Sequence, residues 1–186
     1  SLLSLVKKIL QNWSLNMFDK FRELYRNNRI VILMQSAPGA GKSTLANEIK
    51  SHFDDMWGCD PVYNSIICSA DDYFISPYTK QYKFDSAQLY NAHSYCKSVF
   101  QKAVEQKYSV IIIDNTNVDL KAIRNYYDVN NGYKYLIVRP NTPWYFDAEE
   151  CFKKNTHNVP LETIERMINS IKKFSLEEVK ADILWI

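Results

Sequence analysis

At 186 residues, with 46% apolar and 24% charged side chains, the chain has the composition of a folded globular domain; fibrous and disordered classes are excluded, and one α/β core with one active site is expected. A net charge of +2 is too small for wrapping a long duplex, so any nucleic-acid contact is expected to be local, at a strand end. Cys59, Cys68, Cys96 and Cys151 form no C-x-x-C pair and join no histidine cluster, which argues against a zinc site or a disulfide framework and fits a reducing, cytoplasmic setting.

Residues 1–28 read as an N-terminal helical extension, with Leu2, Val6, Ile9, Leu10 and Trp13 on one face and Phe18, Phe21, Leu24 and Tyr25 on another. Packing on the domain is the first expectation, and partner contact through these helices the second. Lys7 and Lys8 interrupt the apolar run, so neither a membrane span nor a secretory signal is expected, and no membrane partner. A first residue of Ser1 rather than methionine leaves room for a longer parent protein.

Residues 29–174 read as the main domain and 175–186 as a tail packing on it. The run Arg29–Met34 is continuously apolar after its first residue, the pattern of a parallel strand buried on both faces, and a Gly/Pro loop then leads into a helix from Ser43 to His52. Further strands are expected at 65–69, 110–114 and 134–139. Leu89, Ala92, Cys96, Val99, Phe100 and Ala103 set a helix over 86–106 with Ser86 as its cap, and Asn131-Gly132 stops another over 119–130. Lys153 and Lys154 fall on a helix after Trp144, and Pro160 opens a last helix bearing Leu161, Ile164, Met167, Ile168, Ile171 and Phe174. Strand and helix alternate throughout, so the fold class is α/β, doubly wound, with a parallel sheet of four to five strands flanked by helices.

Residues 36–44 read SAPGAGKST, the phosphate-loop pattern G-x-x-x-x-G-K-[ST] with Ser36 in place of the first glycine. Such a loop binds the phosphates of a nucleoside triphosphate by turning main-chain N–H groups inward at a helix N-terminus. Pro38, Gly39, Ala40, Gly41, Lys42, Ser43 and Thr44 are the candidate ATP-binding residues: Lys42 for the β- and γ-phosphates, Ser43 for Mg²⁺, Thr44 for the α-phosphate. The second strand ends in Ser69-Ala-Asp-Asp-Tyr-Phe74, which puts Asp71 and Asp72 at the carboxyl edge of the sheet, and Asp71 is the candidate base for an acceptor hydroxyl. The third strand ends at Asp114, a second candidate for Mg²⁺, followed by Asn115, Thr116 and Asn117. Aspartate also caps helices and shapes turns, and that role stays open for all three acids. Lys153 and Lys154 are candidate lid cations, although a lysine pair is more often a solvated face.

The ordered set SAPGAGKST, SADDYF, YKFD (82–85), AH (92–93), IIIDNTN, TPW (142–144), KKN (153–155) and VP (159–160) resembles the polynucleotide 5′-kinase branch of the P-loop kinases, which includes the kinase-like domain of the 2′,3′-cyclic nucleotide phosphodiesterases. The resemblance covers roughly residues 30–174. It implies a P-loop kinase fold with a helical lid, ATP or another NTP with Mg²⁺ as cofactors, and Asp71 as general base toward the 5′-hydroxyl of RNA or DNA, with a single-stranded end expected. Lys42 and Lys154 join Asp71 as catalytic candidates. Asp72, Tyr73, Phe74, His93 and Asn117 fall on the acceptor side, with Asp114 and Asn117 lining the channel. Two departures from the pattern stand out: Lys154 replaces a lid arginine, and Phe74 replaces an arginine serving the acceptor phosphate, so that Phe74 is expected to stack on a base. His52, His93 and His157 begin no H-x-[ST] element, and no D-x-D-x-T motif is present, so only a kinase step is assigned. A small-molecule kinase for a nucleoside or sugar shares every phosphate feature, and a catalytically weak nucleotide-binding interaction module is the third reading.

Overall fold

The computed structural model describes residues 28–57, 64–177 and 179–186; the helical extension read from residues 1–28, with its partner role, falls almost wholly outside them. Five strands, β1 Arg29–Met34, β2 Ser65–Cys68, β3 Val110–Ile113, β4 Tyr133–Arg139 and β5 Ala181–Trp185, form one sheet in the order β2-β3-β1-β4-β5. Every pairing is parallel, so all five carboxyl ends share one edge.

The strand pleat explains the continuous apolar runs. Val31 and Leu33 of β1 face one side, with Ile111, Ile113 and Ile137, beneath Ala92, Cys96 and Phe100 of helix α2 (Leu89–Glu105). Ile30, Ile32 and Met34 face the other side, with Ile112 and Val138, beneath Leu45, Ala46, Ile49 and Phe53 of helix α1 (Lys42–Trp57). With both faces covered, no position of β1 after Arg29 tolerates a polar side chain. Each such aliphatic residue contributes roughly 1.5–3 kcal/mol of burial.

Helix α1 runs on to Trp57, past the expected His52, and three further boundaries differ from the expectation. The helix expected from Ser86 begins as a 3-10 turn at Ser86–Gln88, and the cap is Asp85, whose side chain accepts from the Ala87 N–H at 2.9 Å. Helix α3, expected over 119–130, is only Leu120–Arg124. Two consecutive tyrosines end it: the Tyr126 ring meets Phe100 and its hydroxyl meets Asn115, while the Tyr127 ring packs on Tyr135. The tail contributes β5, the edge strand beside β4.

Helix α4 (Ala148–Lys154) and helix α5 (Leu161–Lys172) build a third cluster. Ile164, Ile168 and Ile171, spaced along one face of α5, pack with Tyr145 and Cys151 against Ala37 and Ala40 of the phosphate loop. Pro160 lies just before α5 rather than inside it. Cys68, Cys96 and Cys151 are buried free thiols, and no helix among the described residues is long and apolar enough to cross a membrane.

Candidate active site

The phosphate loop leaves β1 at the shared carboxyl edge. Ser36 fits the glycine position because its small side chain is fully buried and satisfied: its N–H donates to the Thr116 carbonyl at 3.2 Å and its hydroxyl to the Ala37 carbonyl at 3.1 Å. Gly39 and Gly41 both take positive φ, +82° and +96°. A Cβ on Gly39 would lie 1.9 Å from the Cys151 carbonyl oxygen, so α4 packs too closely for any other residue.

Lys42, the first residue of α1, reaches across to β3 and pairs with the Asp114 carboxylate while also meeting the Asp114 carbonyl at 3.3 Å and the Ser43 hydroxyl at 3.4 Å. This pair is nearly buried, with side chains 11% and 9% exposed. The segment before α4 is tied to the same loop and to the residue that precedes it: the Thr142 hydroxyl donates to the Ala40 carbonyl and the Trp144 indole N–H to the Gly39 carbonyl, both at 3.2 Å, and the Tyr145 hydroxyl donates to the Gln35 carbonyl at 2.7 Å. Lys154 rests its ammonium 4.5 Å from the centre of the Trp144 ring, so it sits one side chain away from the loop. Lys153 instead pairs with Glu150 on the surface, the solvated role open to a lysine pair.

The opposite wall starts from β2. Asp71 and Asp72 open a 3-10 turn, Asp71–Phe74. Ser69 orients it, accepting from the Asp71 N–H and donating to the Asp114 carbonyl, both at 3.2 Å. One hydroxyl therefore couples the turn carrying Asp71 to the strand end whose carboxylate holds Lys42. The Asp71 carboxylate accepts from the Tyr82 hydroxyl at 3.2 Å, and its other oxygen lies 3.8 Å from Nε2 of His157, which follows α4. Tyr82 is aligned by its antiparallel bridge to Ile75 and by edge contact with the His157 ring at 5.0 Å. Burial, then the Asp71 charge, pushes the Tyr82 phenol up to about 12. Asp72 is exposed, yet its carboxyl is raised, first by desolvation and then by Asp114 and Asp71.

Two acceptor-side expectations change. Asn117 does not open into a channel: it is 1% exposed, at φ +45°, and its amide donates to the carbonyls of Met34 at 2.7 Å and Asn115 at 3.2 Å, stitching the ends of β1 and β3 together. Phe74 is 7% exposed within the core, packed edgewise or tilted against Tyr73, Tyr82 and Phe84, so its own faces are taken. Tyr73 is exposed beside Phe74 and Tyr95, and His93 is exposed on α2, whose inward face at that level belongs to Ala92 and Cys96. Asn115 braces the turn against the segment after α3: its side-chain carbonyl oxygen accepts from the Ala70 N–H at 2.9 Å and its amide donates to the Tyr126 hydroxyl at 3.0 Å. The sequence assigned no role to Ser69, Tyr82 or the His157 contact, although Ser69 opens the SADDYF run and Tyr82 the YKFD run.

The family model of the chromatin associated protein KTI12 matches residues 30–170. The chain belongs to that family. Human NEDD4-binding protein 2 is 34% identical to this KTI12-family chain over 147 residues, which are 78% of the chain and 8% of the relative. The 2′,3′-cyclic-nucleotide 3′-phosphodiesterase of Pongo abelii is 22% identical over 152 residues, 78% of the chain and 32% of that protein. The chain thus spans a minor part of these curated relatives. Among solved structures, a chain of the PezAT chromosomal toxin-antitoxin system of Streptococcus pneumoniae aligns with TM-score 0.52 at 19% identity, covering 94% of this chain and 78% of that one. A sugar kinase from Janibacter sp. aligns with TM-score 0.50 at 15% identity, covering 85% of each. These likenesses agree with the sheet order in giving the KTI12-family chain a P-loop kinase-like fold.

Proposed function

We propose that the protein transfers the γ-phosphate of ATP, or another NTP, to the 5′-hydroxyl end of RNA or DNA. The observation that carries this reading is the chain of contacts from Lys42 through Asp114 and Ser69 to Asp71, which joins a phosphate loop to a solvent-accessible carboxylate at the same edge of the sheet. Main-chain N–H groups of residues 39–44 receive the phosphates, and Lys42 exchanges its Asp114 partner for the β- and γ-oxygens. Asp71 takes the proton of the acceptor hydroxyl as that oxygen bonds to the γ-phosphorus and the bond to the β-phosphate oxygen breaks, releasing ADP. Tyr82 holds the carboxylate's direction through its hydrogen bond. Lys154, close above the loop on Trp144, adds positive charge where the transferring group becomes more negative.

The donor set fits Mg²⁺: Ser43 offers a hydroxyl and Asp114 a carboxylate, and this hard cation is held by one or two protein oxygens with phosphate oxygens and water. Magnesium, when bound, supplies neutralisation of the β,γ-phosphate charge.

The test is incubation with γ-labelled ATP, Mg²⁺ and either a 5′-hydroxyl oligonucleotide, the same strand already 5′-phosphorylated, or nucleoside and sugar acceptors. Label on the first strand alone is expected. Label only on small acceptors supports a small-molecule kinase, and no label on any acceptor supports a nucleotide-binding module. Asp71→Asn is expected to lower transfer by about 10²–10⁴-fold while leaving the Kd for ATP nearly unchanged; parallel loss of both would remove Asp71 from the role of base.

A further inference from the structure

The loop between α4 and α5 is built around one side chain. Asn155 follows α4, and its side-chain oxygen accepts from the main-chain N–H of His157 at 3.0 Å and of Val159 at 3.3 Å, while its amide donates to the Val159 carbonyl at 3.0 Å. Asn158 completes the turn at φ +53°. This loop is also set against the phosphate loop: a Cβ added to Gly39 would stand 3.0 Å from the Asn155 nitrogen, and Val159 packs on the cluster that holds Ala37 and Ala40. A side chain two positions past Asn155 therefore has a fixed place relative to the residues that receive the phosphates.

His157 occupies that place and reaches the turn after β2. Its Nε2 lies 3.8 Å from one oxygen of Asp71, and its ring meets Tyr82 at 5.0 Å between centroids. Tyr82 in turn donates to the other oxygen of Asp71 at 3.2 Å. Both oxygens of one carboxylate are thus faced by groups from two other segments, the loop before α2 and the loop after α4. The phosphate loop and Asp71 are linked twice: once through the nearly buried Lys42–Asp114 pair and Ser69, and once through Asn155 and the half-exposed His157. Packing alone does not fix a carboxylate that is 45% exposed. One hydrogen bond leaves its plane free to turn, whereas a second group beside the other oxygen removes that freedom and gives the remaining lone pairs one direction. At 3.8 Å the imidazole is farther than a hydrogen bond, so it steers the carboxylate without the short ion pair that would oppose its taking a proton. We propose that His157 is a positioning residue for phosphoryl transfer, holding the Asp71 carboxylate in line with the phosphate loop. The proposal rests on the reading of Asp71 as the base for the acceptor hydroxyl.

Steady-state transfer from γ-labelled ATP to a 5′-hydroxyl oligonucleotide tests it with the full chain. His157→Ala is expected to lower kcat about tenfold while the KM values for ATP and oligonucleotide stay within about twofold, and His157→Gln, which keeps an N–H near the Nε2 position, recovers kcat to within about threefold. In an Asp71→Asn background His157→Ala causes no further loss, because its effect passes through that carboxylate. Circular dichroism melts check that the variants stay folded. A second arm needs no transfer: the chain has three histidines, so the His157 imidazole signal is identified in an NMR spectrum by its loss in His157→Ala. That signal is expected to move in Asp71→Asn and in Tyr82→Phe more than those of His52 and His93. Parent-like kcat in folded His157→Ala, an equal loss added to Asp71→Asn, or an imidazole signal indifferent to Asp71 overturns the proposal even if the parent labels the oligonucleotide. A parent chain that labels no acceptor removes the kinase reading instead, and the NMR arm then decides by itself whether His157 holds Asp71.

Discussion

Asp71 and Asp72 are adjacent carboxylates with different surroundings. Asp71 has a hydroxyl donor in Tyr82 and an imidazole near its second oxygen. Asp72, though exposed, is raised above the ordinary 3.8 by desolvation of its carboxyl and then by its two acidic neighbours, Asp114 and Asp71. The fold therefore binds a proton there more readily than the unfolded chain does, and stability falls as pH rises from about 3.8 through the raised value. Above that window the ionised Asp72 is a standing penalty. Asp72→Asn is accordingly expected to raise Tm at pH 7 and to give no gain at pH 3, and a pair of melting curves at these two values checks it. A higher Tm at both pH values would assign the effect to packing rather than to charge.

At the scale of elements, helices α4 and α5 and the phosphate loop form one packed unit. Ala37 and Ala40 share a core with α4 and α5; two side-chain donors from 142–145 end on loop carbonyls and a third on the carbonyl of Gln35 just before the loop. The strongest anchor by geometry is the Tyr145 hydroxyl on the Gln35 carbonyl, a buried bond between the segment before α4 and the last residue before the loop. Tyr145→Phe keeps the ring and removes the donor, leaving a buried carbonyl short of a partner. The expected loss is about 1–3 kcal/mol in denaturant unfolding, with a weaker affinity for ATP because the loop loses a fixed point. An unchanged unfolding midpoint would show that water or a neighbour replaces the hydroxyl. The α3 segment shows the same rule from the other side: beyond Arg124 the rings of Tyr126 and Tyr127 take separate partners in one core, Phe100 and Tyr135.

At the scale of the whole molecule, Arg139 ties the sheet to its edge and to the site. It ends β4, donates Nε and an Nη to the Gln35 side-chain oxygen at 2.8 and 2.6 Å, and lies 5.1 Å from the Trp185 ring of β5 and 5.9 Å from Phe174. Burial lowers its pKa, but a guanidinium remains charged across the physiological range. Arg139→Met fills much of the same volume yet strands the Gln35 oxygen and the Trp185 face. A loss of about 2 kcal/mol is expected, read by chemical denaturation, together with faster hydrogen exchange in β5. Exchange that quickens evenly over the whole sheet would argue against Arg139 as the clasp of this edge.

The chain's order of apolar runs, its glycines and its acids by themselves determined the parallel α/β class, the phosphate loop and the strands β1, β3 and β4, because a strand buried on both faces is apolar over most of its length and a tight anion loop must carry glycine. The edge strand β5, half-exposed and short, and the true length of α3 escaped that logic, since each depends on a neighbour rather than on its own period. Tertiary structure alone decided which side chains meet Asp71: Tyr82 lies in a different loop and His157 far along the chain beyond α4, and only the fold brings them together. It also turned Phe74 and Asn117 inward, because a residue at a strand's end faces cleft or core according to the helices packed above it, and local sequence does not encode that choice.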